Sequence, residues 1–96
     1  MIDIVMRYRS RTEIIVSILE AARFGETKTK IMYSSFLSSH PLRTYLEVVI
    51  SSGLLAYDST RGRYRTTKKG LRLLDLYDNV GRLKLPRVTN NTPTQK

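Results

Sequence analysis

Residues 27–55, TKTKIMYSSFLSSHPLRTYLEVVISSGLL, read as one helix stopped after a turn and a half and begun again. Thr27 is a cap candidate for a short helix over about 28–35, with Ile31, Met32 and Ser35 facing inward at helical spacing. Leu37 falls in the turn. Ser38 or Ser39 then caps a second helix whose first turn holds Pro41, where a missing N–H costs nothing. The proline ring forbids one continuous helix through 36–42, because it would strike the preceding turn. Leu42, Tyr45, Leu46, Val49 and Ile50 share one face of the restarted helix. His40, Arg43, Thr44 and Glu47 share the other. Gly53 is placed to end it.

Upstream, Ser10-x-x-Glu13 has the form of a capping box, and Ile14, Ile15, Ile18, Leu19 and Ala22 follow at helical spacing. This predicts a helix over 11–23, with Gly25 just past its end. Downstream, Leu54–Asp58 and Arg63–Thr66 alternate as strands around Ser59-Thr60-Arg61-Gly62, a polar turn with glycine. Tyr64 and Thr66 point to one side of the second strand, Arg63 and Arg65 to the other. Thr67 caps a last helix, with Leu71, Leu74 and Tyr77 on one side and Leu73, Leu76 and Val80 on the next. Gly81 is expected to end it. From Pro86 the chain is polar and proline-punctuated, and disorder is the expectation.

The order helix, helix, helix, strand, strand, helix defines the fold class: mainly α (α+β), a winged helix-turn-helix of three helices, a two-stranded wing and a C-terminal helix. The 96 residues hold one core. The expected boundaries are an N-terminal extension at 1–9, the winged domain at 10–81 and a basic polar tail at 82–96. The chain has no cysteine, which excludes a disulfide framework and cysteine-ligated zinc. No apolar run approaches a membrane span of about 20 residues, and the first ten residues do not read as a secretory signal. A cytoplasmic, nucleoid-associated protein is expected.

Charge narrows the partner. The net charge is +9, but residues 1–20 balance, with Arg7, Arg9 and Arg11 against Asp3, Glu13 and Glu20. Residues 59–74 hold Arg61, Arg63, Arg65, Lys68, Lys69 and Arg72 and no acid. Like charges so close repel unless a polyanion lies opposite. Duplex DNA also needs a protruding element that fits the major groove, about 12 Å wide. The second helix of the pair offers Ser39, His40, Arg43 and Thr44 on its early outward face. Arg43 is the best base reader, since a guanidinium can bind guanine O6 and N7 together; its other reading is a solvated surface arginine. His40, the one histidine, has no second ligand for a metal and either donates to a phosphate or simply occupies the helix start. The wing arginines Arg61, Arg63 and Arg65 suit the backbone or minor groove. Thr27, Lys28, Lys30, Lys68 and Lys69 are candidate phosphate contacts. Lys68 and Lys69 stand against the dipole at a helix start, which favours either an anionic partner or tolerated repulsion.

Other chemistries are poorly provided for. There is no glycine-rich phosphate loop, no base–nucleophile pair and no metal-ligand cluster, so no enzyme activity, cofactor or metal is expected. Asp75 and Asp78 share a helix face, the ordinary pattern of a solvated surface. Tyr45, Tyr64 and Tyr77 stand at core spacing, and Tyr8, Tyr33 and Tyr57 form no run on one sheet that would favour single strands or RNA.

The segments RSRTEIIVSILEAA, TKTKIMY, LSS..LRTYLEVVISSGLL and YRTTKKGLRLLDLY, in this order over residues 9–78, resemble a family of small archaeal winged helix-turn-helix proteins regarded as transcriptional regulators. The chain is also similar to small basic archaeal winged-helix chromatin proteins. The resemblance implies DNA binding, often as dimers through the C-terminal helix. Several chromatin-type relatives have a long C-terminal helix, which Gly81 and Pro86 are expected to shorten here. Phe36 and Pro41 also depart from the polar residues expected around the turn.

The expected function is therefore duplex-DNA binding by a transcriptional regulator acting as a homodimer. Leu73, Leu76, Tyr77 and Val80 form the dimer contact, because one chain covers only part of the two apolar sides of the last helix. Two alternatives stand beside it. One is a non-specific architectural protein. The other is a winged-helix module that binds protein within a transcription complex, favoured by Val48 and Phe36.

Overall fold

The computed structural model describes residues 10–84, with side chains as far as Asn79. The helices are α1 (Arg11–Ala21), α2 (Lys28–Ser35), α3 (Ser39–Ser51) and α4 (Lys68–Lys84), with strands β1 (Leu55–Asp58) and β2 (Arg63–Thr66) between α3 and α4. The expectations for residues 1–9, and for disorder from Pro86, lie outside the described residues.

Three of the four described helices start on a short-range side-chain hydrogen bond. Ser10 Oγ accepts from the Glu13 N–H at 3.1 Å, and Glu13 Oε1 accepts from the Ser10 N–H at 3.0 Å, a complete capping box. Thr27 Oγ1 accepts from the Lys30 N–H at 3.2 Å. Thr67 Oγ1 accepts from the Gly70 N–H at 3.1 Å. Ser38 is the N-cap of α3, but its hydroxyl makes no capping bond.

The helix ends correct three expectations. α1 stops at Ala21, two residues early, and a turn over 22–24 carries the chain to Gly25, whose φ is +95°. α2 is ended by Phe36 in the left-handed region, at φ +57°. Proline and serine caps were expected to account for that break; they explain the restart, while Phe36 explains the stop. α4 runs through Gly81 to Lys84. One interior glycine costs about 1 kcal/mol relative to alanine and does not break a helix by itself.

β1 and β2 pair antiparallel, from Leu55 with Thr66 to Asp58 with Arg63. The sheet has one attachment that periodicity does not announce. Glu26 and Tyr64 exchange both backbone hydrogen bonds, at 2.9 and 2.7 Å, so the segment after α1 borders β2. Thr66 strengthens this root: its N–H donates to Ala22 O at 3.0 Å and its buried hydroxyl to Leu19 O at 2.7 Å.

The core is aliphatic. Ile18, Leu19 and Ala22 at the end of α1 meet Ile31 of α2, Leu42, Leu46 and Val49 of α3, Leu55 of β1 and Leu74 of α4. At about 1.5–3 kcal/mol per buried aliphatic side chain, this cluster is the main term holding the helices in place. α1 packs on both α2 and α4, and α3 leads directly into β1. Ile50, Leu71 and Tyr77, read as inward from spacing, are instead 40%, 38% and 36% exposed. Tyr57 and Tyr64 stack at a tilt across the hairpin, ring centroids 4.7 Å apart. Burial, and then the neighbouring Tyr57 phenol, pushes the Tyr64 hydroxyl above the ordinary tyrosine pKa.

Candidate nucleic-acid interface

α3 turns its apolar stripe to the core, which fixes the opposite face toward solvent. Ser39, His40, Arg43 and Thr44 are all exposed on that outward side. Thr44 Oγ1 donates to His40 O at 3.3 Å, so its hydroxyl proton is held by the helix while its lone pairs remain available. Because Ser38 leaves the helix uncapped, the N–H groups of Ser39 and His40 have no hydrogen-bond partner among the described residues. Such groups carry the positive end of the helix dipole.

The start of α2 places Lys28 and Lys30 in solvent, while Thr27 is half-buried and occupied as the cap. In the wing, Asp58 organises the turn. Its carboxylate accepts from the Thr60 N–H at 3.0 Å and the Arg61 N–H at 3.3 Å, and the Gly62 N–H closes the loop onto Asp58 O at 2.8 Å. Arg61 lies 3.9 Å from the same carboxylate, an exposed pair worth little to stability. Arg63 and Arg65 alternate outward from half-buried Tyr64 and buried Thr66, and neither has an acidic partner among the described residues.

Lys68 and Lys69 divide. Lys68 is exposed. Lys69 reaches back, its Nζ donating to Ser52 O at 2.8 Å, and so places a cation at the C-terminal end of α3. That resolves its awkward position at the start of α4: the dipole it serves is that of α3. It also sets Lys69 about 20 Å along the axis of α3 from Ser39, at about 1.5 Å per residue, and apart from the outward cluster.

Two further features join the surface. A hollow of about 250 Å³ between α1 and α3 is lined by Arg11, Ile15, Thr44, Tyr45 and Val48. A smaller one at the wing root is lined by Phe24, Gly25, Asp58, Arg61, Arg63 and Arg65. Sequence reasoning passed over Phe24, although it stands immediately before the glycine that marks the turn.

On α4, Leu73 is half-buried, Leu76 is 61% exposed and Tyr77 36%. The side chain of Val80 lies outside the described residues. No described helix is long and apolar enough to cross a membrane.

No curated protein matches the chain by sequence. Among solved structures it is similar to Sso10a-2, a DNA-binding protein from Sulfolobus solfataricus. The TM-score is 0.64 at 20% identity, over 88% of this chain and 100% of that one. That likeness is one of fold. The winged helix-turn-helix family model matches residues 8–85, from just before the capping box to the end of α4. It takes in the helix pair, the hairpin rooted on α1 and the helix that follows, and the chain belongs to the winged helix-turn-helix family.

Proposed function

We propose that the chain is a duplex-DNA-binding protein that regulates transcription as a homodimer, with α3 in the major groove and the wing on the backbone or minor groove. The observation that carries the reading is the outward face of α3, with Ser39, His40, Arg43 and Thr44 all exposed, together with a wing on which Arg63 and Arg65 have no acidic partner among the described residues. Arg43 reads a base edge. Ser39, His40 and Thr44 fix the helix start against the groove, with the two free N–H groups facing phosphate. Arg61, Arg63 and Arg65 follow the backbone, and Lys28, Lys30 and Lys68 add phosphate contacts. Thr27 and Lys69 contribute indirectly, by capping α2 and α3. The DNA-binding character of Sso10a-2 agrees with this reading.

The unit that binds is residues 10–81, with the helical continuation to Lys84. The exposed apolar residues Leu76 and Tyr77, with Leu73 and Val80, support pairing through α4. Pairing doubles the phosphate contacts and matches a palindromic site. No step calls for a cofactor or a catalytic group.

The test is a salt titration of binding to a random duplex and to the gene's own promoter fragment. With about 6–8 phosphates per dimer, log K falls against log salt with a slope of about −5 to −7. Arg43→Ala weakens preferred sites more than random DNA, and Arg63→Ala weakens both alike. Equal binding to both would leave a coating protein, or a regulator whose site lies elsewhere. No binding at low salt would overturn the reading.

A further inference from the structure

The chain has two phenylalanines, and neither is in the core: Phe24 is 81% exposed and Phe36 70%. Every buried core residue is aliphatic. A large ring left in water forgoes about 1.5–3 kcal/mol of burial, so its surroundings matter.

Phe24 is held firmly and aimed outward. Behind it, the Arg23 N–H donates to Glu20 O at 3.2 Å; ahead of it, the Gly25 N–H donates to Ala22 O at 3.0 Å. Glu26 is then locked to Tyr64 by two backbone bonds. Gly25 takes φ +95° and passes close to Arg65, whose Nη1 would lie 3.8 Å from a Cβ at that position. The ring and the three wing arginines thus border one small hollow together with Asp58, which pairs with Arg61; Arg63 and Arg65 have no acidic partner among the described residues.

An apolar ring and free guanidiniums ask for different surroundings. Phosphate satisfies the arginines and repels the ring. Apolar protein surface satisfies the ring and strands the arginines. The minor groove of duplex DNA provides both, with phosphate walls and a floor of stacked base pairs whose steps can be parted.

We propose that Phe24 is an apolar wedge that enters the minor groove beside the wing and opens one base-pair step, so that the protein kinks the duplex it binds. The proposal rests on the DNA-binding reading and adds a deformation to it. Side chains that part a base step in this way bend the duplex by about 20–90°.

The experiment measures the end-to-end distance of a doubly labelled duplex by energy transfer at saturating protein, with affinity and salt slope measured in parallel. The wild-type protein shortens the distance. Phe24→Ser binds the duplex with the wild-type salt slope, since no charge is lost, and leaves it straight. Phe24→Leu keeps most of the kink because leucine is also an apolar wedge, and Phe36→Ala, which removes the other exposed ring, keeps it all. Circular dichroism and melting show that both Phe24 variants fold. A straight duplex bound by the wild type overturns the wedge and leaves DNA binding intact; so does an unchanged kink with Phe24→Ser. Tighter binding to a single strand than to the duplex assigns the ring to base stacking and also overturns the wedge. Absence of binding to any duplex overturns the DNA reading and the wedge together.

Discussion

Two corners of this molecule are closed by the same pair of hydrogen bonds but by different residues. After α3, the Leu54 N–H donates to Val49 O at 2.9 Å and the Gly53 N–H to Ile50 O at 3.0 Å, with Gly53 at φ +78°. After α2, the Leu37 N–H donates to Met32 O at 3.2 Å and the Phe36 N–H to Tyr33 O at 3.3 Å, with Phe36 at φ +57°. Both are Schellman closures, which need a left-handed residue. Glycine adopts it freely; phenylalanine does so at a cost of about 1–2 kcal/mol. The difference lies in what each corner carries. The Gly53 corner is tied to α4: Thr67 Oγ1 donates to Gly53 O at 2.6 Å, the Thr67 N–H to Leu54 O at 3.0 Å, and Lys69 Nζ to Ser52 O at 2.8 Å. At the Phe36 corner the ring stands in solvent. The corner that fixes α4 uses the unstrained residue, and the strain falls on the corner whose ring is exposed.

The largest effect is expected where α4 meets the tied corner. Gly70 is buried, and a Cβ there would lie 2.3 Å from Leu54 O and 2.5 Å from Thr66 Cγ2. The first of these is backbone and accepts the Thr67 N–H of the tie, so it cannot move aside without loosening the corner. Gly70→Ala should destabilise the fold by about 3 kcal/mol, the upper range for overpacking. In a domain of this size that lowers Tm by about 12 °C or more. A melt within a few degrees of wild type would show that α4 can lift away, and that the tie is weaker than its hydrogen bonds indicate.

These corners also separate what the sequence announces from what it does not. The Ser10–Glu13 box, the Thr27 and Thr67 caps, and the alternation of Arg63 to Thr66 were legible because each depends on residues no more than a few positions apart. Gly53 was legible because glycine past an apolar stripe signals a helix end. Phe36 was not, since a left-handed phenylalanine has no compositional sign and the nearby proline offered a sufficient reason for the break. The Glu26–Tyr64 bridge is a single pairing across 38 residues, too short to leave a period. Lys69 read as a misplaced cation because its acceptor, Ser52 O, is 17 residues away. The outward face of α3 was legible as a face, from spacing alone. The hollow joining Phe24 to the wing arginines was not, because it exists only once the turn after α1 is laid against β2.

A smaller effect tests whether Gly53 is needed for its torsion or for space. A Cβ at this position would meet Lys69 Cδ at 3.8 Å, an ordinary contact. Space is therefore not limiting, and Gly53→Ala should cost the left-handed penalty of about 1–2 kcal/mol, less about 0.5–1 kcal/mol gained by losing glycine's chain entropy, a net loss of about 1 kcal/mol. Denaturant unfolding should show a lower midpoint with an unchanged slope, since the native fold is the same. A loss comparable to that of Gly70→Ala would mean that the corner deforms and carries the α4 attachment with it.

The smallest effect has the opposite sign. Phe36→Gly removes a left-handed penalty of about 1–2 kcal/mol and adds back about 0.5–1 kcal/mol of glycine chain entropy in the unfolded state. Because the ring is 70% exposed, little burial is lost with it. The balance should be a gain of about 0.5 kcal/mol, read as a higher midpoint in the same unfolding experiment. The sign decides more than the size. A gain places the strain in the backbone at Phe36, and makes the two corners equivalent once both hold glycine. A loss would show that the ring supports the turn through its contacts, so that the outward start of α3 is positioned by an aromatic side chain as well as by the two hydrogen bonds.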